Sequence, residues 1–333
     1  MKKLGFVLII LAGLAACQSG GDNKKQHTMT PPDPQERKEL NIPAFNADSA
    51  YYFIEEQVTL GPRVPNTDGH QKGRDYLVGK LEQYTDKVYV QDISADRYDG
   101  VSMKGYNIIG AFNPESSRRI LLLAHWDTRF ISDQENSEEA RQLPVLGADD
   151  GGSGVGVLLE IARQLSLQRP EVGVDIFFTD LEDQGKSNDP DGTTWAIGAQ
   201  QWAKNPHVKN YTAEYGILLD MVGAKGAQFP KEGVSQNYAP QFHDYVWSMA
   251  NSMGYGHLFL SRKLSGGVVD DHLFINEIAQ IPTINIINKP SDQSFGDHWH
   301  TQDDTMDVID KNILRAVGQV TTAVVYRFDA NYL

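Results

Sequence analysis

Acids and histidines recur along the chain in short, well-separated groups. They are His125-Trp-Asp127, Gly147-Ala-Asp149-Asp150 ahead of Gly-Gly-Ser-Gly, and Phe177-Phe-Thr-Asp-Leu-Glu182-Asp183. Further on come Leu219-Asp220, Asp270-Asp271-His272 and His300-Thr-Gln-Asp-Asp304. Carboxylate oxygens and imidazole nitrogens are zinc ligands, and an acid not used as a ligand can move protons. Each group also has an ordinary reading. Asp149-Asp150 suits a helix N-cap, Glu182-Asp183 a solvated loop, and His300-Thr301 the cap of a final helix. Gathered in one cleft, so many carboxylates would repel one another unless a cation neutralised them. The order of the groups, more than any one of them, points to a metal site.

The elements that must position these residues follow from the hydrophobic pattern. Asp48, followed by Tyr51, Tyr52, Ile54, Glu55 and Val58, reads as the capped start of an amphipathic helix. Leu60-Gly-Pro-Arg-Val-Pro65 breaks it, and a second helix is predicted over 70–84. Strands are predicted over 88–93, 106–112 and 120–125, the last with an apolar run suited to burial on both faces. Helices over 152–165, 195–204, 238–253, 272–276 and 308–326 then alternate with strands over 174–178, 216–219 and 283–287. This alternation predicts a single-domain α/β sandwich, with a central mixed, mostly parallel sheet flanked by helices. The acids and histidines then fall beyond the carboxyl ends of the strands, where open α/β sheets form their ligand sites.

The chain has 333 residues, with 30 Lys+Arg against 44 Asp+Glu and a net charge of −14. Such acidity excludes the basic face a nucleic-acid binder needs, and a basic patch for anionic membranes. It names no partner either, and a monomer is favoured. The single cysteine excludes an intramolecular disulfide and a Cys-rich metal site. Lys2 and Lys3 precede a short apolar run, residues 4–16, ending Leu14-Ala-Ala-Cys17, which resembles the lipobox of bacterial lipoproteins. The resemblance implies a signal peptide over 1–16, cleavage before Cys17 and lipid on its sulfur. Residues 17–40, polar and holding Pro31-Pro-Asp-Pro34, read as a lipid-anchored flexible tether to a catalytic domain over 41–333. The expected location is the bacterial cell envelope, with the domain outside the cytoplasm, in the periplasm, and membrane contact only through the anchor.

Taken together, the six groups, with Leu60-Gly-Pro-Arg-Val-Pro65, resemble the zinc aminopeptidase superfamily over roughly residues 45–330. Two of its branches compete, the dinuclear aminopeptidases and the single-zinc glutaminyl cyclases of animal type. Aminopeptidases usually have a serine before the Asp-His pair, whereas this chain has Asp270-Asp271-His272. It also has Trp299-His300-Thr-Gln-Asp-Asp304 with Phe295 four residues ahead of the tryptophan, as the cyclases do. Both features favour a glutaminyl-peptide cyclotransferase, an aminoacyltransferase that converts N-terminal Gln, more slowly Glu, of peptides and proteins to pyroglutamate.

The resemblance implies one zinc per chain, held by Asp150, Asp183 and His300. It implies Glu182 as the proton shuttle and Asp220 with Asp270 as an acidic pair beside it. Trp299 and Phe295 match pocket positions. Trp195 either replaces a pocket tryptophan of the animal enzymes or belongs to the core under its helix. Two departures stand out: Asp183 where animal cyclases have Glu, and Asn285 where they have a pocket histidine. His125 and Asp127 are shared by both branches, so a dinuclear aminopeptidase remains the alternative reading. A non-catalytic binding ectodomain is a third, which the full set of ligands counts against. His27, His70, His207, His243, His257 and His298 fall mostly in predicted surface contexts and receive no role.

Overall fold

The computed structural model describes Met29 and residues 32–333; Cys17, the signal segment and most of the tether lie outside the described residues. A six-stranded sheet forms the centre, in the order β1-β2-β4-β3-β5-β8. Its strands are β1 (Lys87–Asp96), β2 (Ser102–Phe112), β3 (Arg119–His125), β4 (Gly173–Thr179), β5 (Tyr215–Asp220) and β8 (Thr283–Ile287). β1, β2 and β4 pair antiparallel, whereas β4, β3, β5 and β8 run parallel. All residues of β3, β4, β5 and β8 are buried, which explains their near-continuous apolar sequences.

Helices cover both faces. On one side lie α1 (Ala47–Thr59), α2 (Asp68–Tyr84), α4 (Gly152–Leu167) and α9 (Lys311–Asp329), closing the larger core with Leu122, Ile176, Ile217 and Ile284. On the other lie α5 (Ile197–Lys204) and α8 (Asp271–Phe274), where Trp202 and Phe274 pack against Leu121, Leu123, Phe177 and Leu218. A short α3 (Glu138–Arg141) lies in the loop after β3. At one end, α6 (Gly233–Tyr238), α7 (Pro240–Ser252) and a small parallel pair, β6 (Phe229–Lys231) and β7 (Phe259–Lys263), complete the fold. Among the described residues, no helix is long and apolar enough to cross a membrane.

Several boundaries differ from the predicted ones. The first helix is capped by Asn46, not Asp48; its side chain accepts from the amides of Asp48 and Ser49. The helix predicted over 238–253 is α7, which starts at Pro240; Tyr238 instead ends the separate α6, because Pro240 pushes Ala239 out of helical geometry. α5 begins at Ile197, two residues late, since Ala196 takes a left-handed φ of 51°. α8 stops at Phe274 and continues as a wider π turn, Ile275–Ala279. β6 and β7 escaped prediction because three and five residues carry too little periodicity. The end of the expected tether lies against the body: the Lys38 amide donates to Ala330 O, and Asn331 Nδ2 to Glu36 O.

Two close approaches bring the elements to the site. Gly154 sets α4 on β5 so tightly that a Cβ there would meet Leu219 O at 2.2 Å. Arg63, wholly buried, ties the α1–α2 loop to the segments after β3 and before α4. Its Nε donates to Trp126 O at 2.9 Å, Nη1 to Leu146 O at 3.1 Å and Nη2 to Gly147 O at 2.6 Å. Burial pulls its pKa down to about 10, against Asp304, Asp127 and Asp150, so it stays charged at neutral pH. Arg63→Met leaves these carbonyls unpaired and removes a cation facing three acids. A loss of about 3 kcal/mol or more is expected, read as a lower urea midpoint at unchanged m.

Candidate active site

The carboxyl ends of the parallel strands build one edge of a pocket. β3 ends at His125 and leads to Asp127, β4 leads to Glu182 and Asp183, and β5 ends at Asp220. The segment after β8 brings Phe295, Trp299 and His300. Left-handed non-glycine residues mark these turns: Leu181 (φ 57°), Met221 (φ 49°) and His300 itself (φ 55°). Each costs about 1–2 kcal/mol and persists only where the surroundings impose it, a pattern that gathers at functional sites. Here each adjoins, or is, a residue that faces the pocket.

Asp150, Asp183 and His300 converge, each offering one ligand atom within 4.8 Å of the others. His300 Nε2 lies 3.1 Å from Asp183 Oδ1 and 3.7 Å from Asp150 Oδ2. Ligands about 2.0–2.2 Å from a tetrahedral zinc stand about 3.4 Å from one another, so the spacing fits that ion. The donor chemistry fits as well. Asp183 Oδ2 is buried without a hydrogen-bond partner, an expensive state for a carboxylate unless a cation neutralises it. A second group shares Asp150: His125 Nε2 lies 2.9 Å from Asp150 Oδ1 and 3.3 Å from Asp220 Oδ1.

Residues outside these groups hold them in place. Asp133 Oδ1 lies 2.9 Å from His300 Nδ1; a carboxylate only accepts, so Nδ1 carries the proton and Nε2 is left to bind. Asp133 Oδ2 in turn accepts from Arg129 Nη2 at 2.7 Å and from the Ser187 hydroxyl. Arg129 Nη1 donates to Asp183 O and Gly185 O, both at 3.0 Å. Asp127 accepts from the amides of Glu182 and Asp183, each at 3.1 Å, and Asp304 from those of Asp149 and Asp150, at 2.7 and 3.1 Å. Asp149 caps no helix. Its Oδ1 accepts from Gly223 N at 2.7 Å, and its Oδ2 from His298 Nε2 at 2.8 Å.

Beside the ligand group, Glu182, Asp220 and Asp270 line a pocket of about 320 Å³. Burial drives the Glu182 carboxyl well above the usual range, against the pull of His125, with Asp270 and Asp183 adding to the rise. Burial lifts Asp220 to about 6, and burial with the Asp220 charge lifts Asp270 to about 7. Asp220 and Asp270 thus hold and release protons near neutral pH. Asp270 Oδ1 accepts from the Asp271 amide, and its Oδ2 from Asn285 Nδ2, each at 2.6 Å. Asn285, the departure from the animal pattern, is thus the partner that orients Asp270. Asp271 bonds the Thr179 hydroxyl, and burial, then Asp270, pushes its carboxyl to about 8.

The walls are aromatic. Trp299 stacks on the His300 ring at 3.8 Å, Trp195 is nearly parallel to it at 6.2 Å, and Phe295 packs on Trp299 at 4.6 Å. Trp195 is therefore a pocket residue on the loop before α5, not part of that helix. Three histidines predicted at the surface are buried. His70 and His298 pair with Asp180 and Asp149, and His243 bonds Gln236, which offsets their desolvation. The sequence reading missed Asp133 and Arg129, which lie in a loop with no motif to mark them. Asp304 could have been found, since it closes the His300 motif.

Comparison with known proteins agrees with this geometry. The model of peptidase family M28 matches residues 107–325. Glutaminyl cyclase of Bacteroides thetaiotaomicron, solved with N-acetylhistamine, is 48% identical with a TM-score of 0.83, covering 86% of this chain and 99% of that one. A Zn-dependent exopeptidase from Parabacteroides distasonis gives the same identity, coverage and TM-score. Glutaminyl-peptide cyclotransferase of Bos taurus is 23% identical over 304 residues, 80% of this chain and 78% of the relative.

The Asp133–His300 bond sets the first expectation for the metal. Asp133→Asn should keep the fold and weaken zinc binding about 10–100-fold, measured by competition with a chromophoric chelator.

Proposed function

The chain belongs to peptidase family M28, and within that family we propose that it is a zinc-dependent glutaminyl-peptide cyclotransferase. It closes N-terminal Gln of peptides and proteins to pyroglutamate with release of ammonia, and acts more slowly on Glu. The observation that carries this reading is the third acid, Asp270, beside Asp220 and Glu182 on the pocket wall. A peptidase activates water and has no need of a further proton-holding group there. A cyclase must hold the substrate's own α-amine as nucleophile and carry its proton to the leaving nitrogen.

Asp150, Asp183 and His300 are the residues that would hold one zinc, which when bound polarises the γ-amide carbonyl as a Lewis acid. Asp220 and Asp270 receive the incoming α-ammonium and take one of its protons, which frees the lone pair of the α-nitrogen. Glu182 takes a proton as the α-nitrogen closes on the γ-carbon, then returns it to the departing amide nitrogen, which leaves as ammonia. Trp195, Phe295 and Trp299 exclude water and hold the side chain folded toward its own amine, so that the ring closes within one molecule. The second group, His125 with Asp150 and Asp220, favours the dinuclear aminopeptidase as the competing reading.

Cellular placement follows from the leader. The protein is a lipoprotein of the bacterial envelope, lipidated at Cys17, its catalytic domain in the periplasm and acting as a monomer. Leu14-Ala-Ala-Cys17 supports the lipid anchor. Labelled palmitate should enter the wild-type chain and fail to enter Cys17→Ser; label in the variant overturns the anchor.

One zinc per chain is expected by metal analysis, lost in His300→Ala and kept in Glu182→Gln, whose kcat should fall roughly 10²–10⁴-fold. Two tightly bound zincs, with free amino acid released from peptides, would favour the peptidase. The direct test is Asp270. Asp270→Asn keeps size and can still bond Asn285, whose Oδ1 has no partner, once that amide turns. It should fold, bind zinc and lose cyclisation, as should Asp270→Ser. Near wild-type kcat/KM in both would leave Asp270 as the mere cap of α8 and remove the main ground for the cyclase.

A further inference from the structure

The pocket is acidic, with Asp150, Glu182, Asp183, Asp220, Asp270 and Asp292 on its walls, yet its lining includes one lysine, Lys289. Lys289 follows β8, and its backbone is fixed on both sides. Its amide donates to Gln228 O at 2.9 Å, and its carbonyl accepts from Arg262 Nη2 at 3.0 Å. The ammonium lies 3.7 Å from the centroid of the Phe295 ring. Among the described residues no carboxylate stands within ion-pair distance of it. Asp292 shares the pocket lining and its charge acts on Lys289, but its direct contacts are Arg262 at 4.0 Å and the Ser265 amide, from which it accepts. A half-buried cation held over an aromatic face, with no carboxylate in direct contact, can receive an anion.

Its position says which anion. Lys289 touches Phe295, Phe295 packs on Trp299, and Trp299 stacks on His300, so a ladder of contacts runs from the metal group to the ammonium. A peptide whose N-terminal side chain points at His300 and whose amine meets the acids can run along this wall to the ammonium. Each further residue advances it about 3.5 Å. We infer that Lys289 reads the residue after the N-terminal glutamine and selects peptides whose second residue is acidic. This rests on the cyclase reading and adds a substrate class to it. Without Lys289 the acidic pocket would repel such peptides. With it, the site is matched to a substrate carrying ammonium at its tip and carboxylate one residue on. Burial lowers the Lys289 pKa, so the ammonium is poorly hydrated and gains from a partner.

The test compares ammonia release from Gln-Glu-, Gln-Ala- and Gln-Lys-initiated tripeptide amides. Wild type should favour Gln-Glu over Gln-Ala about three- to tenfold in kcat/KM, mostly through KM, and salt should shrink the ratio. Lys289→Met should abolish the preference, Lys289→Arg should keep it, and Lys289→Glu should turn it toward Gln-Lys. If wild type does not prefer Gln-Glu, or if the variants change all three substrates by one common factor, Lys289 only braces Phe295 and the inference falls. If wild type releases ammonia from none of the peptides, the cyclase reading itself falls, a distinct result.

Discussion

The site depends on one electrostatic constraint, the burial of many carboxylates within a single cleft. Asp127, Asp149, Asp150, Asp183, Glu182, Asp220, Asp270, Asp271 and Asp304 are all buried. Isolated, each would be expelled or neutralised by proton uptake. Three kinds of partner prevent this. Backbone amides serve Asp127 and Asp304, imidazoles serve Asp149 and Asp150, and Arg63 and Arg129 sit behind the cluster. Asp183 Oδ2 and Asp271 Oδ1 remain without a protein partner, the first on a residue of the metal group. Loop geometry answers to this balance: the two amides that Asp304 engages belong to Asp149 and Asp150, which fixes the ligand before α4 begins.

Much of this was legible in sequence because strand ends are legible. The runs before His125, Asp180 and Asp220 announce buried parallel strands, and the acids after them could point only to the sheet's carboxyl edge. What was not legible depends on contacts between distant segments. Asp133 reaches His300 across 167 positions, and Glu232 reaches His272 across 40, with no motif linking either pair. Trp195, a pocket residue as one of the two readings had it, was drawn into the helix for a different reason. Helical periodicity runs through it, but Ala196 takes a left-handed conformation that turns the chain and frees the indole to lie over His300. A pattern of apolar residues records burial, and cannot separate a core from a pocket wall.

Glu232 illustrates how the wall of the pocket is held. Its carboxylate is buried, and His272 with the amides of Val234 and Ser235 holds its pKa down to about 2 despite that burial. The same carboxylate accepts from Val268 N, in the loop that lines the pocket ahead of Asp270. One anion therefore clamps α6, the loop and the first turn of α8 together. Flexibility of the loop would otherwise move Asp270, whose neighbour His272 is part of this clamp. A buried pair of this kind contributes geometry more than stability.

Asp220 is the point at which the two readings of the family meet. It stands 3.3 Å from His125 Nε2, as a ligand for a second metal would, and its charge is the largest electrostatic contribution raising Asp270. These two uses conflict. A zinc ligand must be a free carboxylate, whereas an acid that shares a proton with a neighbour is partly neutral near pH 7 and binds a cation weakly. With serine at position 270 there would be no second acid to share with, and Asp220 would be free to ligate. With aspartate there, the charge of Asp220 raises the Asp270 carboxyl to about 7, so a proton can be held beside Asp220 near neutral pH. The same side chain that suits the pocket to an ammonium-bearing nucleophile thus stands next to the group that could hold a second metal, His125 with Asp150 and Asp220. Both activities use this corner of the pocket, which is why the retained histidine by itself does not discriminate between them.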